Sequence, residues 1–137
     1  MQSSINDRFA SADLGGVRVA AVSAEAANAR TVSLQLLDRE NRDLAMRAGV
    51  WGYLSSDPNG DVLEPHSATL TIAGGTDGIV VPNAAANAAG HSAFWAISEA
   101  DGDIDLTITQ TSGADTFYVV IVLPNGELFV SPAIAFA

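Results

Sequence analysis

The run Thr116-Phe117-Tyr118-Val119-Val120-Ile121-Val122-Leu123 is followed by Pro124-Asn125-Gly126-Glu127 and then by Leu128-Phe129-Val130. Two segments rich in β-branched and aromatic residues, parted by Pro-Asn-Gly, predict an antiparallel hairpin. Pro124 and Asn125 suit a type I turn with Gly126 in the left-handed bulge position, and a type I′ turn centred on Asn125-Gly126 fits almost as well. Successive side chains of a strand point to opposite faces. Phe117, Val119, Ile121 and Leu123 therefore share one face, and Tyr118, Val120 and Val122 the other. Both faces are apolar, which predicts a central strand whose second face is also covered, either by the chain's own N-terminal segment or by another subunit. An apolar outer face is also how a small β domain meets a partner.

Outward from this hairpin, period-two alternation recurs. Val32, Leu34 and Leu36 alternate with Thr31, Ser33 and Gln35; Val50-Trp51-Gly52-Tyr53-Leu54 follows; Ile104, Leu106 and Ile108 alternate with Asp105, Thr107 and Thr109. Further strands are expected at 68–73, 79–81 and 93–98, the first two forming a hairpin or a tight corner around Gly74-Gly75-Thr76-Asp77-Gly78. Turn residues recur every 8 to 12 positions and no segment shows a convincing amphipathic helical period. The pattern is that of an all-β, antiparallel immunoglobulin-like β-sandwich of about 7–8 strands, without the Cys and Trp spacing of antibody domains. Residues 30–137 are assigned to this domain. Residues 1–29 carry only scattered large apolar side chains among Ser, Asn, Asp and Ala, and are read as an extended or loosely docked arm, with a frayed terminus as the alternative.

At 137 residues, 48% of them hydrophobic, the chain suits one folded domain and not a disordered one. The polar opening Gln2-Ser3-Ser4 leads us to expect no signal peptide and synthesis in the cytoplasm, and no apolar run is long enough for a membrane helix. The absence of cysteine excludes disulfides, thiolate catalysis and Cys-ligated metals. A net charge of −10 argues against nucleic acid as a partner.

Candidate chemistry is sparse. Asp101, Asp103 and Asp105 are the weak candidates for a metal, since Asp103 and Asp105 on an extended chain would lie about 7 Å apart on one face. Asp57-Pro58-Asn59-Gly60-Asp61 resembles the start of a calcium loop but has Ala68 where the twelfth position requires Glu. Turn chemistry accounts for both stretches. His66 and His91 lie in loops without a partner ligand, and no Ser stands in a nucleophile elbow. No catalytic residue, cofactor site or metal is assigned. Trp51, Tyr53, Trp95 and Tyr118 could stack on a sugar, although strand-interior aromatics more often pack in a core or on a sheet face.

The stretches Ala96 to Ile108, Ser112 to Tyr118 and Val122 to Gly126, together with Leu36-Leu37-Asp38 and Tyr53 to Asp57, resemble an immunoglobulin-like β-sandwich module of tailed-bacteriophage virion proteins. The resemblance spans roughly residues 30–136 and carries no catalytic motif. It implies a virion structural protein, most like a capsid decoration (cement) protein. Such a protein would sit on the outer capsid surface, bind the major capsid protein and form a homotrimer. The alternative it allows is a tail or head appendage that contacts the host surface or carbohydrate. On this reading Phe9, Leu14, Tyr118, Val120 and Val122 are the expected interface residues.

Overall fold

In the computed structural model, residues 13–65, 69–82 and 92–137 are described. They form ten strands and no helical element. The order is β1 (Leu14–Val22), β2 (Ala29–Asp38), β3 (Gly49–Ser55), β4 (Leu70–Gly74), β5 (Ile79–Pro82), β6 (Ala93–Ile97), β7 (Asp103–Gln110), β8 (Asp115–Val122), β9 (Leu128–Val130) and β10 (Ile134–Phe136). One sheet runs β1-β2-β7-β4, and the other runs β10-β8-β3-β6-β5 with β9 also paired to β8. All pairings are antiparallel. The expected all-β sandwich is present. The first sheet follows the A-B-E-D order of the immunoglobulin fold, and β10-β8-β3 follows G-F-C. The β5–β6 hairpin is inserted between the fourth and fifth strands of that plan and widens the second sheet beyond β3.

The alternation read from sequence sets the core. Val32, Leu34, Leu36, Ile104, Leu106 and Ile108 from one sheet meet Leu54, Phe94, Phe117, Val119 and Ile121 from the other, each at most 1% exposed. Phe117 and Phe136 close one end, with ring centroids 5.9 Å apart at 66°. Gly52 is required by this packing. A Cβ there would lie 2.3 Å from the Phe94 ring and 2.9 Å from the Val120 carbonyl oxygen, so the ring of the opposed residue fills the space a side chain would take.

The β8–β9 hairpin takes the first of the two turn forms. Gly126 N–H donates to the Leu123 carbonyl at 2.9 Å, Leu123 N–H donates to Glu127 O at 2.9 Å, and Gly126 has φ +89°. This is a type I turn followed by a glycine bulge. The segment around Gly74 to Gly78 is a corner and not a hairpin, because β4 pairs with β7 while β5 pairs with β6 in the other sheet.

Two expectations are revised. Of the stretch 1–29 assigned to an arm, Leu14–Val22 is instead an edge strand paired with β2 from Leu14↔Asp38 to Val22↔Val32, and residues 1–12 lie outside the described residues. Leu14 and Val17 are buried in the core and anchor it, while bulges near Gly15 and Ala20 break the alternation that would have revealed a strand. Second, the outer face of β8 is covered at Val120 by the chain's own loop following β3. A Cβ on Gly60 would stand 3.2 Å from both Val120 Cγ2 and Val130 Cγ2. Neither the N-terminal segment nor a second subunit is needed there.

Candidate functional site

The two sheets turn different faces outward. On the four-stranded sheet the outward side chains of β2 and β7 are Thr31, Ser33 and Gln35 facing Thr107, Asp105 and Asp103. Two of the pairs bond across the strands: Ser33 Oγ donates to Asp105 Oδ1 at 2.8 Å, and Thr31 and Thr107 hydroxyls lie 3.4 Å apart, while the buried Gln35 donates to Leu36 O and Asp101 O. This is the polar outer face that antiparallel sheets ordinarily show.

The six-stranded sheet breaks that rule. Val50, Gly52 and Leu54 of β3 point inward, so Trp51 and Tyr53 point out. Register then aligns Trp51 with Trp95 on one side and with Val122 on the other, Trp95 with Val81, and Val122 with Leu128. The result is an unbroken apolar row across five strands: Val81, Trp95, Trp51, Val122, Leu128. Trp51 is 57% exposed and Val81 53%, and Val122 and Leu128 are also exposed. Ile79, a second exposed apolar residue, lies alongside. Trp95 is held down over Gly49, where a Cβ would meet its ring at 2.4 Å, and its indole centroid stands 5.1 Å from that of Trp51 at a 59° tilt. Trp51 therefore packs against a neighbour that is itself seated on Gly49, and leaves more than half of its surface exposed. Scattered exposed apolar residues are ordinary, but a contiguous row is not.

Beside Trp51 lies a shallow groove of about 440 Å³ lined by Gly52, Tyr53, Gly60, Asp61, Leu63 and Ala93. Its wall is the loop after β3, which is tied by Gly60 N–H to Asp57 O (2.9 Å), Asp61 N–H to Asp57 Oδ2 (3.2 Å) and the Tyr53 hydroxyl to Gly60 O (2.6 Å). Burial, with Asp61 nearby, raises the Tyr53 phenol above its ordinary pKa. The segment that resembles a calcium loop thus spends its Asp57 carboxylate on closing this wall.

The remaining candidates fall elsewhere. Asp105 is buried and accepts from Ser33 Oγ and Thr76 Oγ1, both at 2.8 Å. Asp101 and Gly102 form the turn before β7, with Gly102 N–H on Glu99 O at 3.0 Å and Asp103 N–H on Asp101 Oδ1 at 3.3 Å. Partial burial and the neighbouring Asp101 and Asp77 raise the Asp103 pKa, and a hydrogen bond with Asp77 raises that of Glu99. Among the described residues no three His, Asp or Glu side chains are placed to hold a metal ion. His66 and His91 lie outside the described residues, as does Phe9. Of the other expected interface residues, Leu14 and Val120 are buried within the chain, Tyr118 is half-buried, and Val122 belongs to the exposed row.

Sequence reasoning therefore found one residue of the row, Val122, and weighed Trp51 and Trp95 between a sugar platform and packing in a core or on a sheet face. It missed Val81 and Leu128. The inward Val50-Gly52-Leu54 set would have put both Trp51 and Tyr53 outside, but the pairing that lines Val81 up with Trp95 is invisible without the register. No protein-family model matches the chain, and no curated protein is significantly similar to it.

Proposed function

We propose that the protein is a structural component of a bacteriophage virion, a decoration protein that binds the major capsid protein on the outer capsid surface. The observation that carries an assembly role is the uncharged apolar row from Val81 to Leu128 on a sheet face that is ordinarily polar. Its placement on a capsid follows from the resemblance to phage virion modules. The net charge of −10 suits a particle exterior, where it favours solubility at high local concentration.

A second reading, an appendage that contacts host-surface carbohydrate, is favoured by the exposed Trp51 lining a groove that also offers Asp61 and Tyr53. A sugar site needs several convergent polar groups, whereas the row continues apolar for two strands on either side of β3. The protein-facing reading is preferred for that reason.

Immunogold electron microscopy of the virions separates the two. Label distributed over the capsid lattice is the expected result; label confined to the tail supports the appendage, and unlabelled virions overturn both.

A further inference from the structure

Asparagine followed by glycine occurs twice in the chain, as Asn59-Gly60 and Asn125-Gly126. The pair is chemically labile because glycine has no Cβ to shield its nitrogen, which can close a five-membered ring on the preceding carboxamide carbon. We propose that Asn125, at the tip of the β8–β9 hairpin, is a self-modifying residue whose carboxamide becomes a carboxylate, assisted by Arg39. The fold keeps Asn59 intact.

Gly126 N gives up its proton and bonds to Asn125 Cγ, the Cγ–Nδ2 bond breaks, and ammonia leaves with that proton. Water then opens the succinimide. Cleavage of the new Cγ–N bond yields aspartate, whereas cleavage between the Asn125 main-chain carbonyl carbon and Gly126 N yields isoaspartate, with the main chain rerouted through the side chain. No electrons change hands, and solvent water is the sole co-reactant.

The tip favours this step in three ways. Glu127 N–H donates to Asn125 Oδ1 at 2.9 Å, so a donor already sits on the oxygen that gains negative charge as Cγ becomes tetrahedral. Arg39 and Asn125 line one groove of about 350 Å³ together with Leu14, Gly15 and Pro124. Arg18, Arg30, Arg42 and Arg47 each hold a carboxylate or carbonyl oxygen, whereas Arg39 has no bonded partner among the described residues. An uncommitted positive charge favours both the anionic intermediate and the carboxylate product. Gly126 is exposed and has nothing within 4 Å of where a Cβ would lie, which leaves room for the ring.

One bond opposes the attack: Gly126 N–H donates to Leu123 O at 2.9 Å and must let go first. Gly60 N–H makes an equal bond to Asp57 O, also 2.9 Å, so the surroundings decide between the two sites. Gly60 is buried, and a Cβ on it would stand 3.2 Å from the Val120 and Val130 side chains. Its loop is tied further by Asp61 N–H on Asp57 Oδ2 and by the Tyr53 hydroxyl on Gly60 O. Freeing Gly60 therefore dismantles a packed wall, whereas freeing Gly126 frays a single exposed turn. The product adds one negative charge to a chain of −10. Isoaspartate also lengthens by one carbon a turn closed by Gly126 N–H on Leu123 O and Leu123 N–H on Glu127 O, and so loosens the hairpin.

The test is peptide mapping by mass spectrometry of the full chain, incubated at physiological temperature over a range of mildly alkaline pH. Asn125 should convert on the order of tenfold faster than Asn59, and faster as pH rises. In concentrated urea the two sites should react at similar rates, since both are then unfolded Asn-Gly pairs. Arg39→Gln should slow conversion at Asn125 several-fold without changing Asn59, and Arg39→Lys should keep the parent's rate. Three results overturn the proposal: Asn59 reacting as fast as Asn125 in the folded chain, Asn125 staying intact there while reacting in urea, or Arg39→Gln reacting like the parent. The readout is a mass on the isolated chain, so its failure leaves the capsid reading untouched.

Discussion

Two glycines hold the architecture for different reasons. Gly126 has φ +89° and open space where a side chain would go, so the cost of replacing it is purely conformational. Gly126→Val should destabilise by about 1–3 kcal/mol, seen as a lower midpoint in urea with unchanged slope. Gly52 is the opposite case: the obstacle is the Phe94 ring at 2.3 Å. Gly52→Ala should therefore cost about 1–3 kcal/mol by overpacking, and Phe94→Leu in the same chain should recover part of it, because the obstacle is that side chain. A double-mutant cycle in thermal unfolding measures the coupling. The Gly126 role could be read from Pro124-Asn125-Gly126, since turn chemistry is local. That of Gly52 could not, because what makes it necessary lies more than forty positions away at Phe94.

At the level of strands, local alternation identified the core strands and failed where tertiary contacts supply the stabilisation. β1 is the instructive failure. Ala20 and Ala21 bury little area, and bulges near Gly15 and Ala20 hide the period, yet Leu14 and Val17 reach the core and Arg18 bonds to Asp43 at 3.1 Å. Arg30 further ties this corner to the C-terminus, with Nε on Ala135 O at 2.6 Å and Nη1 on Ser23 O at 2.9 Å. The outer row was hidden for a related reason: Trp51, Val122 and Val81 belong to three separated segments, and only strand order makes them neighbours. Truncation locates the start of the folded unit. A chain beginning at residue 13 keeps every described strand and serves as the reference. A chain beginning at 23 loses two core side chains and bares the edge of β2, and should melt well below the parent or aggregate. Equal melting of both truncations would restore the longer arm.

For the molecule as a whole, sixteen acidic residues against six basic make carboxylate crowding the dominant electrostatic fact. The crowding is greatest where the β4–β5 corner meets the turn before β7. There Glu99 shares a hydrogen bond with Asp77, and Asp103 is partly buried near Asp101 and Asp77; both Glu99 and Asp103 have raised pKa values. Burial and the charge of Asp115 raise Glu64 as well. A carboxyl whose pKa is higher folded than unfolded binds more protons in the native state, so its effect on stability falls as pH rises from the unfolded pKa through the folded one. These groups therefore favour folding at mildly acidic pH and oppose it at neutral pH. Asp38 acts in the other sense: hydrogen bonds from the Arg42 and Glu40 backbone hold its pKa down, and its contribution is lost only as pH falls through that lowered value. The melting temperature should accordingly rise as pH falls through the raised values of these groups toward the ordinary carboxylate range, then drop in stronger acid as Asp38 protonates. Asp77→Asn removes the charge shared by Glu99 and Asp103. It should raise the melting temperature at pH 7 and flatten the rise on acidification, while leaving the acid-side fall in place. A variant that melts as the parent does at pH 7 and keeps the parent's full rise would show that the cluster at this corner does not control stability.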